Sequence, residues 1–124
     1  DLIFKKRFLQ YIKLKGLDYE QKNLVEYNSP YANKQDGSIE FNLTDFEDYL
    51  EDKRIKMKRV DLVLNVQKIL KAKKIKGKVN MGTKEKKDYK SCVSWRIKDF
   101  TIDNKDLIIE GAVEESPKGI TDGS

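Results

Sequence analysis

A strand-like alternation runs directly into a helix start in this chain: Ser38-Ile39-Glu40-Phe41-Asn42-Leu43, followed by Thr44 and, three residues on, Glu47. The alternation puts Ile39, Phe41 and Leu43 on one side of an extended backbone, the period-two signature of a half-buried strand. Thr44 and Glu47 read as a capping box, in which the Thr side chain meets the third amide and the Glu reaches back. Asp45, Glu47 and Asp48 also suit the positive end of the helix dipole. The pattern predicts a helix over 44–52 that buries Phe46, Tyr49 and Leu50. A strand feeding an amphipathic helix without a linker points to an α+β domain.

Upstream, Ile3, Phe4, Phe8, Leu9, Tyr11, Ile12 and Leu14 make an apolar stripe near a 3.6-residue period, and Lys5, Lys6, Arg7, Lys13 and Lys15 are left for the wet face. That spacing predicts a helix over 2–15, with Gly16 at the natural stop. Over 17–37 the periodicity fades and turn formers collect, among them Asn28-Ser29-Pro30, Asn33 and Asp36-Gly37. A short helix over 18–27 is the one regular element this stretch suggests.

Downstream, Val60, Val63, Gln67 and Leu70 lie on one line with Leu62, Val66 and Ile69 beside it, which predicts a third helix over 57–75. Gly77 then ends it, with lysines in the last turn as the dipole prefers. A strand is expected to begin over 78–81, and the polar 82–90 connection is too charged to bury. Val93, Trp95 and Ile97 alternate against Cys92, Ser94, Arg96 and Lys98, a second strand signal. Phe100 and Ile102 have the opposite parity, so a bulge or break is expected near Lys98-Asp99. A turn over 103–106 and a strand over 107–113 follow, then a tail over 114–124 rich in turn formers. At 124 residues the simplest organisation is one domain over 1–113, with no internal repeat.

The order helix, strand, helix, turn, helix, strand, basic loop, strand resembles a winged helix-turn-helix domain over roughly 1–102, with its core in 38–102. The resemblance makes 38–43 the small strand, 44–52 the support helix, 57–75 the recognition helix and 77–100 the wing, tipped by 82–87. It implies about three helices with a small antiparallel sheet of three strands, and duplex DNA as ligand. The 16–37 connection and the strand after Asp103 are departures from that pattern. The same elements also suit a generic α+β domain with a three-stranded antiparallel sheet.

Charge carries the functional signal. Seventeen Lys or Arg lie between 53 and 98, against Asp61, Glu85 and Asp88, so this window is +14 in a chain of net charge +5. One-sided charge on this scale is an electrostatic footprint for a polyanion, because an ordinary solvated face mixes both signs. On the resemblance, Lys56, Lys58, Arg59, Asn65, Lys68 and Lys71 are the polar positions of the recognition helix and its flanks. Arg59 suits guanine and Asn65 suits adenine, whereas lysines contact phosphate. Lys84, Lys86, Lys87 and Lys90 form the wing, with Tyr89 as a stacking residue; Trp95 reads as core.

Catalytic chemistry finds little to use. The chain has no histidine and one cysteine, so neither the common Cys/His zinc sets nor an internal disulfide can form within it. Cys92 has no histidine to activate it. Asp45, Asp48 and Asp52 share a helix face that suits Mg²⁺, but capping and the dipole account for the first two without an ion. The reading is therefore a nonenzymatic nucleic-acid-binding protein with no cofactor. Its rival is an interaction module whose basic face docks an acidic protein. The acidic stretches 36–52 (net −7) and 99–124 (net −5) suit pairing with the basic face of a second copy, as in a homodimer. No apolar run is long enough to span a bilayer, no secretory leader is visible, and the lone cysteine suits a reducing, cytoplasmic compartment. The chain opens on Asp1, which fits a processed start or a longer parent. Its Lys, Asn, Ile and Asp usage suits an AT-rich genome, hence a phage or plasmid setting.

Overall fold

The computed structural model describes residues 2–98. They form an α+β domain with the order α1 (Leu2–Lys15), α2 (Lys22–Tyr27), β1 (Tyr31–Ala32), β2 (Ile39–Phe41), α3 (Leu43–Asp52), α4 (Arg59–Lys68), β3 (Lys73–Asn80) and β4 (Tyr89–Ile97). The strands make one antiparallel sheet in the order β1-β2-β4-β3. Four helices and four strands thus replace the expected three and three. The strand expected over 107–113, the break near Asp99 and the tail over 114–124 lie outside the described residues.

The first helix spans the residues its periodicity predicts and stops where Gly16 turns left-handed at φ 79. It buries Phe4, Phe8, Tyr11 and Ile12 against β2, α3, α4 and the inner end of β4. Aromatic edges make the centre of this core: the Phe8 ring lies 4.8 Å from Phe41 and 5.3 Å from Phe46, and Tyr11 lies 5.0 Å from Phe46. Edge-to-face and tilted pairs of this kind add to the area each ring buries.

Around 17–37 the order comes from side chains bonding backbone rather than from any period. Asp18 accepts from the Glu20 amide and from Asn23 Nδ2, Asn33 accepts from the Gln35 amide, and Asp36 accepts from the Ser38 amide. Local bonds of this type compete with helix and sheet, so periodicity cannot report them. They fold the long connection around a short α2 and deliver β1 to the edge of β2.

Two boundaries differ from expectation. Asn42, not Thr44, caps α3: its side chain accepts from the Asp45 amide at 3.0 Å while its backbone stays extended. Both residues are good caps, and the earlier one wins, which leaves Thr44 and Glu47 on the first turns of α3 with no capping role. The larger difference is α4, which ends at Lys68 instead of continuing to 75. Leu70 and Ala72 are still buried, so the apolar stripe continues after the helix has stopped. Lys71 makes the turn with φ 56, a left-handed position that glycine usually fills. Residues 73–80 are then strand, and Gly77 lies inside it rather than at a helix end.

Candidate nucleic-acid interface

The register of the β3–β4 hairpin decides where the basic residues point. Lys74 sits opposite Trp95, Lys76 opposite Val93, Lys78 opposite Ser91 and Asn80 opposite Tyr89. Trp95 is also opposite Phe41 on β2. Residues directly opposite share a face, so Lys74, Lys76, Lys78, Tyr89 and Val93 occupy the same side of the sheet as the aromatic core. They lie on its outward continuation, past the cover of the helices. Val93 is 49% and Tyr89 55% exposed.

The other face carries Glu40, Arg96, Ser94, Cys92, Lys90, Lys73, Ile75, Gly77 and Val79, and it is covered in part, with Lys73, Gly77 and Lys90 exposed. Helix α2 packs against β3, Val79 is 6% exposed, and Glu40 is buried. Glu40 accepts from Ser94 Oγ at 2.9 Å and pairs with Arg96 Nη2 at 3.1 Å. Burial first, and then the Glu40 charge, push the Cys92 thiol up.

Between α4 and the open face lies a groove of about 390 Å³, lined by Asn42, Leu43, Thr44, Arg59, Val63, Lys74, Val93 and Trp95. Arg59 stands at its helical wall. Its guanidinium donates to Glu47 at 2.6 Å and lies 3.4 Å from Thr44 Oγ1. The residues read from sequence as a cap thus hold a residue read as a guanine contact. Asn65, read as an adenine contact, is half-buried, with Nδ2 3.4 Å from Met57 Sδ. Outermost on α4 are Val60 and Leu64, both exposed, with Asp61, Gln67 and Lys68 around them.

The remaining expected residues fall into separate places. Lys56 and Lys58 are exposed in the α3–α4 connection, Lys58 at the helix start. Lys68 ends α4, about 14 Å from Arg59 along the axis. Lys71 occupies the left-handed turn. Lys84, Lys86 and Lys87 are exposed at the hairpin tip, roughly 25 Å from the base of β3. Tyr89 and Lys90 open β4 on opposite faces. Absent from the expected set were Lys74, Lys76 and Lys78 as an open-face row. Their alternation with Ile75, Gly77 and Val79 is a strand signal, which the expected helix over 57–75, its stop at Gly77 and the strand expected over 78–81 divided.

The tip itself is pinned. Asn80 Oδ1 accepts from the Gly82 and Asp88 amides, and Asn80 Nδ2 donates to the Thr83 carbonyl. Thr83 Oγ1 accepts from the Lys86 amide. The lysines there extend from an ordered turn.

Elsewhere, Asp45 accepts from the Tyr11 hydroxyl at 2.7 Å and pairs with Lys15 at 3.3 Å. Burial, then the Asp45 hydrogen bond and charge, push the Tyr11 phenol well up. Among the described residues no three His, Cys, Asp or Glu side chains are grouped to hold a metal ion, and no helix is long and apolar enough to cross a membrane. No family model, curated protein or solved structure matches this chain.

Proposed function

We propose that this protein binds nucleic acid, with duplex DNA as the expected form, and that it does so without catalysing a reaction. One observation carries the reading. All fourteen lysines between 53 and 98 are exposed, and among the described residues none forms an ion pair. Unpaired lysines at this density repel one another and favour a ligand that brings phosphates.

The winged-helix reading draws support from the order β2, α3, α4, β3, β4 and from β4 lying between β2 and β3. On that reading α4 faces a groove of the duplex and the hairpin lies along its backbone. A phage or plasmid regulatory or replication role is part of the proposal and rests on composition.

Fluorescence anisotropy with labelled random duplex and single-stranded DNA, in a salt series, tests it. Micromolar or tighter binding is expected, with a log–log salt slope of roughly −0.9 per neutralised phosphate. No binding at low salt would turn the search to an acidic protein partner. Arg59→Ala with Asn65→Ala should then alter sequence preference; an unchanged preference would mean that α4 does not read bases.

A further inference from the structure

We infer that the open face of the β3–β4 hairpin is a two-lane platform for an unpaired nucleic-acid strand, with phosphates on β3 and bases on β4. The inference rests on the nucleic-acid reading above and names the form of ligand this face takes.

The phosphate lane is Lys74, Lys76 and Lys78 on β3. Residues two apart on a strand are about 6.7 Å apart, so the three lysines leave β3 on one face at even spacing. A flexible single strand can follow such a row phosphate by phosphate, whereas each strand of a duplex winds away from it. Lane two is Tyr89, Ser91 and Val93 on β4, directly opposite Asn80, Lys78 and Lys76. It bears no charge, and its ring and isopropyl group are about half exposed. Adjacent strands lie about 4.8 Å apart, which sets an apolar surface beside the lysine row.

Basic tracks flanked by stacking side chains are how sequence-tolerant single-strand binders work, because every base has a π-face. The inner end of the platform opens into the groove where Val63 and Arg59 meet Trp95. Lys73 and Lys90 supply equal charge, also exposed, on the opposite face and serve as an internal control.

The test uses labelled oligothymidylate about ten nucleotides long, an abasic oligomer of equal length, an acidic peptide competitor and a duplex, all at low salt. Far-UV dichroism and the emission of the single tryptophan, Trp95, verify that each variant keeps its fold. Tyr89→Ala should weaken oligothymidylate binding by roughly 5- to 150-fold, the range expected when one base loses its stacking partner. Lys74→Ser with Lys76→Ser should cost much more affinity than Lys73→Ser with Lys90→Ser, although each pair removes two charges. The abasic oligomer should bind more weakly than oligothymidylate.

Equal losses from the two lysine pairs would overturn the platform, as would abasic binding as tight as oligothymidylate, an unaffected Tyr89→Ala, or competition by the peptide at the oligomer's own concentration. Duplex binding that survives any of these leaves the broader reading standing. Binding of neither duplex nor oligothymidylate by the unaltered protein removes both.

Discussion

The Arg59 guanidinium donates to the Glu47 carboxylate at 2.6 Å, tying the start of α4 to the N-terminal half of α3. Thr44 and Glu47 are three residues apart, hence neighbours on the α3 surface, and together they engage the guanidinium fork. The pair is half in water, so its stability contribution is about 0.2–1 kcal/mol. Its greater consequence is for the ligand, since a polyanion has to compete with Glu47 for Arg59. Glu47→Gln should leave the unfolding midpoint almost unchanged and raise DNA affinity. The salt slope should steepen by roughly 0.9 as one more phosphate is neutralised. Weaker binding would show that Glu47 positions Arg59 instead of competing for it.

The hairpin tip invites a different outcome. Lys84, Lys86 and Lys87 stand on a turn pinned by Asn80 and Thr83, at the opposite end of the hairpin from the groove that holds Arg59. Replacing all three with Ser should weaken binding to every sequence alike and flatten the salt slope, by roughly 0.9 for each phosphate no longer neutralised. A loss confined to some sequences would show that the tip does more than hold phosphate.

Gly82 gives that turn its shape. A Cβ there would collide with the Lys86 carbonyl oxygen and press on the Asp88 amide, both backbone atoms, so the turn itself has to give. Gly82→Ala should therefore force the tip open at a cost of about 1–3 kcal/mol. Hydrogen exchange at the Gly82 and Asp88 amides should speed up while α1 and α3 stay protected. Unchanged exchange would mean that the tip tolerates the collision by a small shift.

On the opposite face of the sheet, Glu40 is 3% exposed and is held by Ser94 Oγ and Arg96. Glu40→Ala strands a serine hydroxyl and a guanidinium whose Nε is already buried without a partner. Breaking a fully buried pair costs about 3–5 kcal/mol. Here the Arg96 side chain is 39% exposed and can turn to water, so about 1–3 kcal/mol is expected in denaturant unfolding. Replacing Glu40, Ser94 and Arg96 together with apolar residues should cost less than Glu40→Ala alone. A triple variant weaker than the single one would show that the network contributes net stability.

The parts legible in the sequence were those whose order is local and periodic. The centre of the α1 stripe with Gly16 behind it, the Ile39/Phe41 face and the Trp95/Ile97 core face follow from spacing, whereas Ile3 and Leu14 at the ends of that stripe are exposed and Glu40, expected on a wet face, is buried between Ile39 and Phe41. The α4 boundary did not, because the stop is a lysine in a left-handed turn and because Leu70 and Ala72 keep the apolar pattern going past it. The expected helix over 57–75, stopped at Gly77, also hid the open-face lysines: it set Lys74 and Lys76 at a helix end and Lys78 in a separate strand, whereas on β3 all three line up. The engagement of Arg59 by Glu47 joins two helices, and no single-helix pattern encodes it.

Acid should loosen the long connection before it touches the core. Asp18 lies below its ordinary pKa of 3.8, chiefly because it accepts from the Glu20 amide and then from Asn23. Asp36 is lowered by hydrogen bonds from Ser38. A carboxyl depressed in the folded state adds stability that is present above its unfolded pKa and lost as pH falls through the folded value. The loss from these two groups is therefore confined to the range below about pH 4, with none expected between about pH 5 and 8. Asp36 is exposed and Asp18 half-buried, and both bond only groups within their own connection, so the effect is local: amides over 18–38 should lose exchange protection at low pH ahead of α1 and α3. Asp18→Asn and Asp36→Asn should flatten that acid dependence. If both variants keep the original acid dependence, other carboxylates in the domain carry it.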